Sequence, residues 1–310
     1  MPLLRAGFTA LERRPGLGGI VAERLWFRLP AGPSEADRAR RTPPGGEAFE
    51  TRWSGGTVRG RVYGDWGRPT AYLVHGWGGW WQQLSAHVEP LVDRGLCVVA
   101  VDLPSHGGSD PGRHGRRSTT FLEMGEALGA VIADFGRPAL VVAHSAGAVA
   151  TMLAVDEGAP VESLVLLAPP ISVPPMMRVF ADALAIGPRS QAVMVARTER
   201  RVGLPLDAVD LVGLASRQPS LPPLLVVHDR GDREAPFSGA VELVTAWNGA
   251  RLVPTDGLGH HRVMWDPAVV GQVADVAAEA VRAAGTAQAG TDGTAQAGTA
   301  GTAGVRRSSR

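Results

Sequence analysis

Residues 139–156 read ALVVAHSAGAVATMLAVD, and this stretch decides the fold. Ala139 to Ala143 form an apolar run with no polar alternation, the pattern of a strand buried on both faces. Ala148 to Asp156 read as a helix, and only His144-Ser145-Ala146-Gly147 separates the two. Strand, tight turn and helix in that order belong to a parallel sheet covered by helices. A serine held in such a turn is pushed out beyond the sheet edge, with a helix N-terminus behind it that favours negative charge.

Working outward, further short apolar runs alternate with helix-like stretches: Ala71 to Val74, Leu96 to Val101, Ser163 to Ala168, Leu224 to Val227 and Arg251 to Val253. Phe49 to Trp53 and Thr57 to Tyr63 flank Gly55-Gly56 and read as a hairpin added to one sheet edge. The expectation is an α/β fold, a mostly parallel sheet of about eight strands flanked by helices. Residues 47–284 form this body. Some 55 residues separate Ala168 from Leu224, more than a crossover needs, so a small helical cap is expected at about 170–220. Its apolar side chains include Met176, Met177, Val179, Phe180 and Met194, which could line a substrate pocket at the carboxyl edge of the sheet.

Residues 1–30 carry Leu17, Ile20, Val21, Leu25 and Trp26 at helical spacing and predict an amphipathic helix packed on the main body. Residues 31–46, rich in Pro, Gly and charge, read as a linker. Residues 285–310 begin with a degenerate Gly-Thr-Ala-Gln repeat that offers no large apolar side chain to bury, and read as a disordered tail.

Composition removes whole classes of chemistry. All 31 basic residues are arginines, so an amine nucleophile, a Schiff base or a P-loop lysine is impossible. The one cysteine, Cys97, can form neither an intramolecular disulfide nor a cysteine-based zinc cluster. The eight histidines are spread over separate loops with no helical pair beside a glutamate, so no metal site is expected. Scattered arginines and a net charge of +1 argue against a nucleic-acid partner. The first 14 residues lack the apolar core and cleavage site of a signal peptide, and no apolar run is long enough for stable membrane insertion. A cytoplasmic protein without a cofactor is expected, its oligomeric state left open.

The turn at Ser145 resembles the nucleophile elbow, G-x-S-x-G, of the α/β-hydrolase family, with Ala143 in place of the first glycine. Four more segments, in the family's order and each after an apolar run, look like other loops of the family. His75-Gly76-Trp77-Gly78-Gly79 resembles the oxyanion-hole loop, which implies that the Trp77 N–H, with that of Ala146, would face the developing negative charge. His75 would then be a positioning residue at the pocket. The segment from Asp102 to Ser109 looks like the family's D-x-P-G-H-G-x-S, with Ser105 where a glycine is usual, which implies structural roles for Asp102 and His106. The loop after Val227 resembles the acid-bearing loop and points to Asp232, leaving Asp229 to fix the turn and Glu234 as the weaker alternative. Gly257-Leu258-Gly259-His260 is similar to the family's histidine loop, which implies His260 as the base, with His261 the alternative.

The resemblance implies an α/β-hydrolase-fold serine hydrolase. Ser145 would attack an acyl carbonyl, His260 relay the proton and Asp232 hold His260. The expected substrate is a small-molecule ester with an apolar acyl group. Thioesters, carbon–carbon bonds and peracid formation run on the same constellation. A catalytically silent ligand-binding protein of this fold is the rival from another class. A serine at position 145 disfavours the chemistries that use an aspartate nucleophile in this fold.

Overall fold

The unalternated apolar runs become the centre of one eight-stranded sheet. The computed structural model describes residues 2–292, with side chains as far as residue 285. Its strands are β1 (Glu47–Trp53), β2 (Gly56–Tyr63), β3 (Thr70–Val74), β4 (Cys97–Asp102), β5 (Pro138–His144), β6 (Leu164–Leu167), β7 (Leu224–Asp229) and β8 (Arg251–Thr255). They lie in the order β1-β2-β4-β3-β5-β6-β7-β8. The β1–β2 hairpin joins antiparallel at one edge and the remaining pairs are parallel.

Three helices precede the sheet: α1 (Pro2–Leu11), α2 (Pro15–Trp26) and α3 (Glu35–Arg41). Among the crossovers run α4 (Val88–Asp93), α5 (Phe121–Phe135), α6 (Ala146–Asp156), α7 (Val173–Leu184), α8 (Pro188–Val202), α9 (Leu211–Ser216) and α10 (Phe237–Ala246). A short α11 (Gly259–Arg262) and a long α12 (Pro267–Asp292) follow β8. Along the central strands, side chains alternate between two cores. Tyr72, Val74, Val99, Val141 and Leu166 pack beneath α5 and α6, whereas Leu73, Val98, Val142, Val165 and Val227 pack beneath α4 and α12. Burial on both faces is why these strands show no polar alternation.

Register fixes where chemistry can occur. Val74 pairs with Ala143, Ala143 with Leu166, and Leu166 with Val226, so β3, β5, β6 and β7 end along one carboxyl edge. From β3 the chain moves to β4 on one side, and β5 lies on the other. The loops after β3 and β5 therefore part at a topological switch point, where open α/β sheets leave a crevice. The cap expected at about 170–220 is present as α7, α8, a 3-10 turn (Leu206–Ala208) and α9.

Three boundaries differ from expectation. Residues 1–30 make two helices, because Pro15 can open a helix but not continue one. The second packs on cap helix α8. The linker holds α3, whose N-terminus is capped by the Ser34 hydroxyl accepting from Asp37 N. Helix α12 continues through Gly285 to Asp292, into the stretch read as a tail. The rest of that stretch lies outside the described residues. No helix among the described residues is long and apolar enough to cross a membrane.

Candidate active site

Ser145 sits between β5 and α6 with φ 51° and ψ −122°, a backbone conformation that costs energy for a residue with a side chain. The surroundings enforce it. Ser145 N donates to Leu167 O at 2.9 Å, tying the turn to β6. Two residues on, a Cβ on Gly147 would stand 2.6 Å from the carbonyl oxygens of both Val74 and His75, so only glycine lets α6 pack this close to β3. Ala143, where the family has glycine, is wholly buried and meets no such restriction.

The Ser145 hydroxyl lies 2.9 Å from His260 Nε2, and His260 Nδ1 lies 2.7 Å from Asp232 Oδ2. Burial works to raise the Asp232 carboxyl, but hydrogen bonds from His228 and His260 overcome it and hold the group well below the usual carboxylate range. An ionised carboxylate only accepts, so His260 Nδ1 carries a proton and Nε2 faces the hydroxyl as acceptor. Asp232 Oδ1 takes the amides of Glu234 at 2.8 Å and Ala235 at 3.0 Å, which fixes the carboxylate plane.

Asp229 ties the acid loop to the histidine loop. It accepts from Gly231 N, Leu258 N and the Thr255 hydroxyl at 2.8–3.0 Å. Burial alone would raise its carboxyl; the amides of Leu258 and Gly231 outweigh that and lower it. Glu234 is exposed and pairs with His261 at 3.0 Å, the pair lowering one group and raising the other. Thus Asp229, Glu234 and His261 all lie around the site, and none of them is in the Ser145–His260–Asp232 chain of contacts.

Two histidines escaped the sequence reading. His228 Nε2 lies 2.9 Å from Ala235 O and 3.3 Å from Asp232 Oδ2; both are acceptors, so Nε2–H is shared between them. His144 donates from Nε2 to His260 O at 2.9 Å, with its ring 4.9 Å from that of His260. Burial, then the neighbouring His260, lowers His144 to about 3, so it stays neutral. His144 adjoins Ser145 and His228 ends a strand, but the local sequence does not reveal which distant loop each ring meets.

The candidate oxyanion donors sit on two loops next to this group. Ala146 is the first residue of α6, so its N–H has no acceptor within the helix. On the facing loop, Gly78 N is held by His106 Nε2 at 2.9 Å and Gly79 N by Gly76 O at 3.0 Å. Between these anchored amides and Gly76, the Trp77 N–H has no partner among the described residues. Asp102 accepts from Trp81 N and Gly108 N, and His106 donates to Pro104 O, so both shape the loop as expected.

A cavity of about 410 Å³ opens over Ser145 and His260. Met176, Val179 and Phe180 of the cap line it with Trp77 and Phe121. Three of the expected pocket residues do not. His75 is fully buried at the strand end; it donates to Gly76 O and accepts from Leu103 N at 3.0 Å, so it braces two loops behind the pocket. Met177, with Ala181 and Leu184, lies on the inward face of α7, one step around the helix from Met176, Val179, Phe180 and Ala183. Met194 is likewise buried away from the cavity. Unexpected wall comes from Leu25, Trp26, Phe27 and Pro30 at the end of α2. No three His, Cys, Asp or Glu side chains among the described residues are gathered where a metal ion could be held.

Solved structures share this architecture. An esterase from Pyrococcus furiosus superposes with a TM-score of 0.60 over 81% of this chain and 96% of its own, at 16% identity. A carboxylesterase from Bacillus subtilis gives 0.55 over 84% and 96%, at 15% identity, and the thioesterase domain of the curacin biosynthetic pathway gives 0.55 over 75% and 99%, at 16%. These likenesses establish the fold. In sequence, the dihydrolipoyllysine-residue acetyltransferase component of the acetoin cleaving system of Cupriavidus necator is 38% identical over 105 residues, 33% of this chain. The chain spans only 27% of that protein's length. Residues 71–273, from β3 into α12 and including every strand-end loop described above, match the alpha/beta hydrolase family, and the chain belongs to that family.

Proposed function

We propose that this protein is a serine hydrolase that cleaves esters of apolar acyl groups through an acyl-enzyme. The observation that carries the reading is the unbroken path from Asp232 through His260 to a strained Ser145 hydroxyl at the floor of a cavity. His260 Nε2 takes the hydroxyl proton as Oγ attacks the acyl carbonyl, and Asp232 stabilises the imidazolium that forms. Negative charge moves to the carbonyl oxygen, where the amides of Trp77 and Ala146 receive it. The tetrahedral intermediate collapses, and the alcohol leaves with the proton from His260. Water then enters, gives a proton to His260, attacks the acyl-Ser145 carbonyl, and the acid departs as Oγ recovers its proton.

The cavity wall near the serine is mostly apolar, with Val173, Met176, Val179, Phe180 and Phe121 contributing. Such a surface rewards burial of an alkyl or aryl acyl chain and penalises a charged one. A ligand-binding protein without catalysis would have no use for a strained serine bonded to a histidine that a carboxylate orients. The test is labelling of Ser145 by a fluorophosphonate together with hydrolysis of nitrophenyl esters. Both should be lost in Ser145→Ala, and ester hydrolysis that survives the substitution overturns the reading.

A further inference from the structure

The segment before the sheet lies outside the residues that match the family, yet the end of α2 and the residues after it reach the cavity. Leu25, Trp26, Phe27 and Pro30 form one wall, and the Trp26 ring meets Phe180 of the cap edge to face, with centroids 5.3 Å apart at 74°. Such a pair closes the space between α2 and α7 with two rigid rings.

This wall is fastened. Glu12, just after α1, accepts from the amides of Arg189 and Ser190 at 2.8 and 3.1 Å and from the Ser190 hydroxyl at 2.7 Å, capping α8 from another element. Glu23, only 4% exposed, receives Arg201 at 3.0 Å and Arg197 at 3.4 Å. Arg201 also lies over the Phe27 ring at 4.2 Å and donates to the Ser118 hydroxyl. A Cβ on Gly19 would fall 2.4 Å from Val193, so α2 and α8 touch backbone to side chain. Beyond α2, Pro30 rests against Gly78, next to the candidate oxyanion donor Trp77. These ion pairs, the shared cap and the glycine contact fasten α2 to α8.

We infer that α2 and the residues after it are the second half of the substrate cover, and that Trp26, with Phe180, sets the size of acyl chain the site accepts. This rests on the proposed hydrolase activity. Both rings line the cavity and meet edge to face, and on this inference their contact bounds the acyl end of the site. Removing either lets a longer chain pass between α2 and α7, whereas shorter chains lose only part of one wall.

The test measures the rate at which Ser145 is modified by alkyl fluorophosphonates of rising chain length, alongside hydrolysis of nitrophenyl esters from acetyl to palmitoyl. Trp26→Ala should raise the rate for the longest chain relative to the middle of the series about tenfold or more, the scale of selectivity that a few methylenes of pocket supply. Trp26→Phe should keep the parent profile. Because Trp26→Ala could loosen the cover, Phe180→Ala on the opposite helix provides an independent reading and should shift the profile in the same direction. Rates lowered uniformly along the series in both alanine variants overturn the inference, since the rings would then only hold the cover together. Failure of every reagent to modify Ser145 in the parent protein overturns the hydrolase reading instead.

Discussion

Two buried aspartate–histidine clusters stand at the carboxyl ends of separate strands, β4 and β7, and they use the same residue types in opposite ways. Around Asp102, the acceptors are taken by backbone: Trp81 N and Gly108 N on the carboxylate, Gly78 N on His106 Nε2, Leu103 N on His75 Nε2. Around Asp232, Oδ1 is likewise held by backbone amides, but from Oδ2 the bonds run through the His260 side chain and end on a hydroxyl that faces the cavity. A histidine whose Nε2 lone pair holds an amide is a brace, whereas one whose lone pair faces a serine can take a proton. Burial and an aspartate nearby do not separate the two cases. The partner of Nε2 does.

The comparison breaks most visibly if the two clusters respond alike to substitution. Ser145→Ala and His260→Ala should each lower ester turnover by on the order of 10⁴ to 10⁶, and the double variant should be scarcely worse, because the residues act as a unit. Steady-state kinetics with circular dichroism to verify folding checks this. Asp232→Asn should cost roughly 10⁴ in kcat by presenting the wrong histidine tautomer, with little change in melting temperature. His106→Ala leaves chemistry intact but frees Gly78 N beside Trp77, so turnover should fall only about ten- to a hundredfold. Urea unfolding should register the lost brace as about 1–3 kcal/mol. An activity loss at His106 equal to that at His260 would dissolve the distinction. His261→Ala, which removes the pair with Glu234 and a ring at the cavity but no hydrogen bond to Ser145, His260 or Asp232, should cost about tenfold or less in kcat/KM.

Proton binding sharpens the contrast further. Burial lowers His75 to about 4 and, aided by His75, lowers His106 to about 3. In the unfolded chain both accept protons once the pH drops below about 6.5. The stability they support is therefore complete above that pH and is lost as pH falls toward 4 and 3, by up to about 1.4 kcal/mol per unit for each ring. Urea midpoints measured from pH 7 to pH 4.5 should fall in the parent and fall less steeply in His106→Asn. An unchanged slope would place His106 in contact with water.

What the sequence reveals depends on how far the informative contact reaches. Ser145 and Gly147 are legible because a strand, a tight turn and a close helix impose residue types within a few positions. Asp232 and His260 are legible through loops at strand ends, and the structure brings both to Ser145. His75 was misplaced because a strand-end side chain can turn toward the cavity or back under the neighbouring loop, and only the partner, Leu103 N, decides. Met177 and Met176 lie on adjacent faces of α7, and helical spacing alone offers both stripes without saying which one meets the cavity. In sequence Trp26 reads as packing, since its partner Phe180 belongs to an element more than a hundred residues away.

The seam between α2 and α8 joins residues 174 to 178 positions apart, such as Glu23 with Arg197 and Arg201 and Glu12 with Arg189. During synthesis the chain that carries Trp26 is made well before the helix that will hold it. Loop closure over that span is entropically costly and comes only after the intervening sheet has drawn the ends together. The first wall of the cavity to be synthesised therefore meets its partners on α8 only after 174 to 178 further residues have been made. Until then Trp26 and Phe27 have no cap to pack on, and the end of α2 is open to solvent and to chaperones.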